Sequence, residues 1–110
     1  AFLEGWPGVP VGTEECELIA GALGDKRAIL LSHHGQLSTG TTIEEACVIA
    51  QLIERAAKLQ LLAMAAGTIK PIIPELGREA HDWVSKPKRH AAAFNYYARQ
   101  NLRQHADCLN

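Results

Sequence analysis

The sequence predicts an α/β fold, and three observations carry that prediction. Ala28–Leu31 is an unbroken apolar run closed by turn-forming residues, the pattern of a strand covered on both faces. Residues 43–66 are rich in alanine and repeat apolar side chains at spacings of three and four, the pattern of a long helix. The 110 residues are 47% apolar, 21% charged and 5% aromatic, a globular composition that excludes disordered, collagen-like and coiled-coil classes. A chain of this length makes one domain or a piece of one.

The elements follow in order. Residues 1–12 hold three glycines and two prolines and predict an extended loop with at most a short strand. Thr13 is then a candidate N-cap for a short helix whose first turns carry Glu14, Glu15 and Glu17, acids that complement the helix dipole. Leu18, Ile19, Ala22 and Leu23 form its apolar stripe, and Gly24 is its stop. After the strand at 28–31, His33-His34-Gly35 falls in or beside a turn, and residues 36–39 predict a return strand before Gly40. Thr42 followed by Glu45 is a capping box. The helix it opens carries Ile43, Ala46, Ala50, Ile53, Ala57, Leu61 and Met64 as its apolar positions and runs to Ala66 before Gly67. At ~1.5 Å per residue such a helix is about 36 Å long, against a radius of gyration of ~13 Å for a domain of this size. A helix that long needs more protein to lie against. Two further helices are predicted at 74–85 and 87–106, each with proline at its start. Trp83 and Val84 anchor the first; Ala91, Phe94, Tyr97 and Leu102 face inward in the second.

Charge is unevenly divided. Residues 1–82 carry a balance of −5 and residues 83–110 a balance of +4. The cations of the basic part, Lys86, Lys88, Arg89, Arg99 and Arg103, are dispersed and match no nucleic-acid motif, so a solvated helix face or an acidic neighbour is expected and no nucleic-acid partner is. No apolar run reaches the ~18 residues that cross a bilayer, and no membrane partner is expected. The first ten residues lack the basic start of a signal peptide. Cys16, Cys47 and Cys108 have no close metal-type spacing, so reduced thiols in a cytoplasmic protein are expected.

His33-His34-Gly35 is the one compact cluster of ligand-type residues. Neighbouring strand residues point to opposite faces, so at most one of the two histidines aims into a given site. A metal also needs three or four ligands. Read locally, a hydrogen-bonded histidine at a strand end competes with a metal ligand. Glu54, beside Arg55 on the long helix, reads first as a surface or ion-pair residue. Tyr96 and Tyr97 read as packing residues. Arg99 and Arg103 could grip a substrate carboxylate but read first as a basic helix face. Cys47 reads as inert packing.

The wider context sharpens this. The stretch AILLSHHGQLSTGTTIEEACVIAQLIERAAKLQLLA resembles the C-terminal half of the class II aldolase/adducin family. The resemblance rests on His34-Gly35, Gly40, Ile43-Glu44-Glu45-Ala46 and Leu52-Ile53-Glu54-Arg55-Ala56-Ala57, preceded by a helix led by Gly12-Thr13. It spans roughly residues 11–66. It implies a three-layer α/β/α sandwich around a mainly antiparallel sheet, with residues 1–67 as the C-terminal part of that domain and 68–110 as a helical extension.

The resemblance also implies chemistry. Family enzymes hold a divalent metal, usually zinc and sometimes manganese, on three histidines, and the one directly before glycine corresponds to His34. His33 would then pack or support its neighbour. The metal acts as a Lewis acid on a small hydroxy-carbonyl or carboxylate substrate and stabilises an enolate. This implies a metal-dependent lyase of the class II aldolase type. A decarboxylase of an aromatic or hydroxy-keto acid is the nearest alternative, and a non-catalytic, adducin-like interaction module is the alternative of another class. The family is commonly a homotetramer, and several members give a C-terminal aromatic to a neighbouring subunit's site, which the resemblance makes the alternative to packing for Tyr96 and Tyr97. Its other two histidines come as His-x-His, which this chain lacks; His81, His90 and His105 are far apart on predicted helices. The acid/base glutamate is likewise expected outside this chain. The expectation is therefore a C-terminal fragment, with a degenerate relative as the other possibility.

Overall fold

A computed structural model describes residues 1–5 and 12–109. The loop expected over residues 6–11 and the side chain of Cys108 lie outside the described residues. The chain is α/β, as the sequence indicates, and divides into two compact units, Ala1–Ala50 and Gln51–Asn110.

The first unit is built on a small mixed sheet. Its strands are β1 (Phe2–Leu3), β2 (Ala28–Leu31) and β3 (Gly35–Ser38), in the order β1-β2-β3. β1 runs parallel to β2, with Phe2 opposite Leu30, and β3 returns antiparallel, with Leu31 opposite Gly35 and Ala28 opposite Ser38. The helix α1 (Glu14–Leu23) packs against β1 and β2. It begins after Thr13, but no side-chain capping bond forms there, and its acidic first turn complements the dipole instead. Gly24, at φ 55°, ends it, and its N–H closes on the Ala20 carbonyl.

β2 departs from the sequence reading. Ile29 is 1% exposed and Leu31 is also buried, whereas Leu30 between them is 46% exposed. The strand is therefore buried on the Ile29 and Leu31 face and only partly covered on the face of Ala28 and Leu30. The long helix α2 occupies Ile43–Ala66, as its spacing predicts. Its apolar stripe differs: Val48 is the buried apolar residue, while Ile43 is 78% exposed. The first turn lies beside the β3–α2 loop, where a polar contact with Glu45 rather than the Ile43 side chain makes the junction.

That junction depends on a glycine. A Cβ on Gly40 would stand 2.8 Å from the backbone nitrogen of Ala46 and 2.8 Å from the Cβ and Cγ of Glu45. No side chain fits there without moving the start of α2.

The second unit contains the rest of α2, then α3 (Pro74–Val84), α4 (Pro87–Gln104) and a 3-10 turn at Ala106–Leu109. Proline opens both α3 and α4, as expected. Their apolar residues are less buried than the sequence implies. Leu59, Leu61, Leu62 and Met64 of α2, and Trp83 and Val84 of α3, are exposed. Phe94 and Tyr97 are half-buried, Ala91 and Leu102 are exposed, and the buried residue of α4 is His90. Trp83 is instead covered by cations, with Arg89 Cζ 3.8 Å and Lys86 Nζ 4.7 Å from the ring centroid.

The glycines and the first turn of α2 lead to three stability predictions. Gly40→Ala is expected to destabilise the chain by about 1–3 kcal/mol in denaturant unfolding. Gly21→Ala, in the interior of α1 with open space around it, is expected to stabilise by about 0.5–1 kcal/mol. Glu44 is held below its ordinary value of 4.5 by its own backbone N–H and by the Thr42 hydroxyl. Its contribution is therefore present at neutral pH and is lost as pH falls through the lowered folded value. Glu44→Gln should flatten the acid limb of the stability profile, read as unfolding midpoints between pH 3 and 7, roughly the window over which a carboxylate titrates.

Candidate functional site

The candidate site is the hairpin tip that joins β2 to β3. Ser32, His33 and His34 form the connection, and the His34 N–H donates to the Leu31 carbonyl at 3.1 Å. His33 has φ 59°, the only positive φ among the described non-glycine residues. A four-residue turn with positive φ at its third position alone has the signature of type II, where glycine or asparagine is usual. Histidine is among the few other side chains that tolerate this region. Gly35 follows at φ 154°, which glycine accepts at no steric cost.

Both histidines thus sit in the turn and not on the strand. The expectation that strand alternation sends them to opposite faces does not apply; turn geometry sets their directions. Both are exposed.

The base of the hairpin is fixed by a buried carboxylate. Glu45 is 6% exposed and forms an ion pair with Arg27, which precedes β2. One of its oxygens also accepts from the Thr41 backbone N–H at 2.7 Å and from the Thr41 hydroxyl at 2.9 Å. Its own N–H donates to Thr42 Oγ1 at 3.2 Å. The capping box is therefore half as predicted: the hydroxyl caps, but the carboxylate reaches one residue further back, to Thr41. Arg27 also binds the loop through its carbonyl, which accepts from the Thr39 N–H at 2.8 Å. Sequence reasoning missed Arg27 and Thr41. The signal available was a lone arginine just before the strand and an acid at the third position of the helix.

The other predicted residues do not join the hairpin tip. Glu54 is exposed on α2. Tyr96 and Tyr97 pack edge to face, with centroids 5.6 Å apart, and Gln100 Nε2 donates to the Tyr96 hydroxyl at 2.8 Å. Arg99 and Arg103 are exposed on α4. His81 lies 3.1 Å from an Asp82 oxygen on the surface of α3, and His105 is exposed just beyond α4. Cys16 and Cys47 are free thiols. Among the described residues, no three His, Cys, Asp or Glu side chains come together as a metal-binding group. The residues present therefore do not fit a complete metal centre; the turn offers the imidazoles of His33 and His34. No helix among the described residues is long and apolar enough to cross a membrane.

Comparison with known proteins places this arrangement. Residues 3–61 match the family described as the Class II Aldolase and Adducin N-terminal domain. The match begins at Leu3, earlier than the resemblance read from sequence, and so takes in the second residue of β1. The Meiotically up-regulated gene 14 protein of Schizosaccharomyces pombe is 32% identical over 77 residues, 67% of this chain and 30% of that protein. A Caulobacter vibrioides protein provisionally named a class 2 aldolase is 36% identical over 62 residues, 56% of this chain and 24% of that protein. The 4-hydroxy-3-prenylphenylpyruvate oxygenase/4-hydroxy-3-prenylbenzoate synthase of Streptomyces roseochromogenus subsp. oscitans is 34% identical over 73 residues, 66% of this chain and 26% of that protein. The chain thus spans between about a quarter and a third of the length of these relatives.

The turn geometry makes a prediction of its own. His33→Gly should leave stability unchanged or raise it by up to about 1 kcal/mol, because glycine occupies positive φ freely. His33→Val should cost more than about 1 kcal/mol, because a branched side chain resists that region. Thermal unfolding of the two variants checks the pair; equal effects contradict the assigned turn.

Proposed function

The chain belongs to the class II aldolase/adducin family, and from that membership we propose that it forms the C-terminal part of a metal-dependent lyase, with His34 as one ligand of the metal. The observation that carries the reading is the placement of His34 directly before Gly35, at the tip of a hairpin whose base is fixed by Glu45. In the proposed whole domain, a three-layer α/β/α sandwich, residues 1–67 supply part of the sheet and its long helix. Residues 68–110 form a helical extension.

When bound, the metal (Zn²⁺, with Mn²⁺ as the other option) supplies Lewis acidity toward a carbonyl and its neighbouring oxygen. The chain's own part is to hold an imidazole in place. The remaining ligands and the acid/base glutamate lie, on this reading, in the portion of the relatives' length that this chain does not span. The substrate is a small hydroxy-carbonyl compound cleaved at a C–C bond. The protein works in the cytoplasm, a reading supported by the free thiols of Cys16 and Cys47. It is a homo-oligomer, a tetramer by analogy with its family, and the exposed apolar face of α2 supports burial against further protein.

One comparison favours a second reading. The Streptomyces relative is named for a prenylated arylpyruvate, so a decarboxylase of an aromatic or hydroxy-keto acid on the same fold is the alternative.

Metal analysis of the complete protein tests the proposal. His34→Ala should lose more Zn²⁺ affinity than the roughly 10–100-fold that follows loss of a mere supporting partner. Equal metal content in parent and variant would remove the centre of the reading. Aldehyde formation against CO₂ release then separates aldolase from decarboxylase.

A further inference from the structure

The turn that carries His34 joins two backbone conformations that ordinary residues resist, φ 59° at His33 and φ 154° at Gly35. Strained conformations persist where the surrounding structure holds them. The main-chain bonds that close the turn, His34 N–H to the Leu31 carbonyl and the Leu31–Gly35 pairing, lie within the hairpin. β3 is an edge strand of the sheet, so neither bond ties the turn to a helix.

The first side chain after the turn that does so is Gln36. Its Nε2 donates to the main-chain carbonyl of Ala50 on α2, at 3.3 Å. Two residues on, Ser38 Oγ donates to the carbonyl of Ala46 at 2.9 Å. The spacing of the two bonds is matched. Residues two apart on a strand are separated by about 6.7 Å, and residues four apart on a helix by about 6 Å. The strand rises from 36 to 38 while the helix falls from 50 to 46, so two rungs join one strand to one helix with little distortion. Each helix carbonyl already serves its own N–H and uses its second lone pair for the rung. The acceptors are backbone carbonyls of alanines. An apolar side chain at residue 36 could pack but would supply no such direction.

We propose that Gln36 is a positioning residue for His34: its amide clamps the end of the turn to α2 and so fixes where the imidazole stands. The positioning role rests on the reading of His34 as a metal ligand, whereas the clamp does not. A ligating side chain must be held within about 0.5 Å of its productive place. Gln36 is the anchoring side chain nearest to His34 along the strand, and Ser38 repeats the anchor further away.

The test separates the two claims. Backbone order is read by ¹⁵N relaxation in the 110-residue chain. In Gln36→Leu, order parameters at residues 33–35 should fall from about 0.85 toward about 0.6, with the chemical shifts of β2 unchanged. Gln36→Arg, which keeps a donor, should restore them, and Ser38→Ala should leave residues 33–35 as in the parent. Unchanged order in Gln36→Leu, or equal loosening by Ser38→Ala, overturns the clamp. In the complete protein, Gln36→Leu should weaken Co²⁺ binding by about 10–100-fold at an unchanged unfolding midpoint. Equal Co²⁺ affinity in parent and variant overturns the positioning role. If Co²⁺ leaves the His34 imidazole signals of the parent untouched, the ligand reading itself fails, and the order parameters still decide the clamp.

Discussion

The hairpin that carries His34 is joined to the long helix through a buried carboxylate, and the geometry of the first unit follows from that junction. Glu45 meets Arg27 ahead of β2, Thr41 in the loop after β3 and, through its N–H, Thr42 at the helix start. Arg27 and the loop residue Thr41 thus converge on one side chain, while Thr42 caps the backbone of the same residue. A carboxylate this far out of water is tolerated when its oxygens are paired and hydrogen-bonded. Gly40 allows the loop to come close enough for these bonds, because a Cβ there would meet both the Ala46 nitrogen and the Glu45 side chain. Removing the space at Gly40 therefore disturbs the same junction as removing the charge at Glu45.

From that fixed base the hairpin projects a turn held under local strain. A histidine at φ 59° costs on the order of 1 kcal/mol, a cost that other bonds must offset. Strain of this kind clusters at functional positions, where placing a side chain matters more than local comfort. Here it sits beside His34, the proposed metal ligand. The turn, the two rungs from β3 to α2 and the Glu45 junction form one chain of constraints, from sequence-local dihedrals through packing to the placement of one imidazole.

Much of this was legible in the sequence. The 24-residue extent of α2, the proline starts of α3 and α4, the return strand and the Gly24 stop follow from local rules of periodicity, capping and breaking. What local rules miss is anything that depends on partners. An apolar run such as Ala28–Leu31 predicts a doubly covered strand, yet Leu30 is half exposed while Ile29 and Leu31 on the opposite face are buried. The stripe that begins at Ile43 has the right period, but period alone does not say which turn meets the sheet. The Arg27–Glu45 pair joins residues 18 positions apart, and no spacing rule connects them. Parallel pairing of β1 with β2 is non-local in the same way. The proposed role of His34 rests on a pattern that extends over several elements; taken alone, two adjacent histidines indicate little.

As proposed, His34 is one imidazole of a metal centre whose other ligands lie beyond this chain. X-ray absorption at the zinc edge of the complete, zinc-loaded protein addresses that claim most directly, because it counts imidazoles around the ion. The account predicts that His34→Ala lowers the imidazole count at the metal by one, with the remaining ligands retained at ordinary Zn–N distances of about 2.0–2.1 Å. An unchanged count in that variant would contradict it.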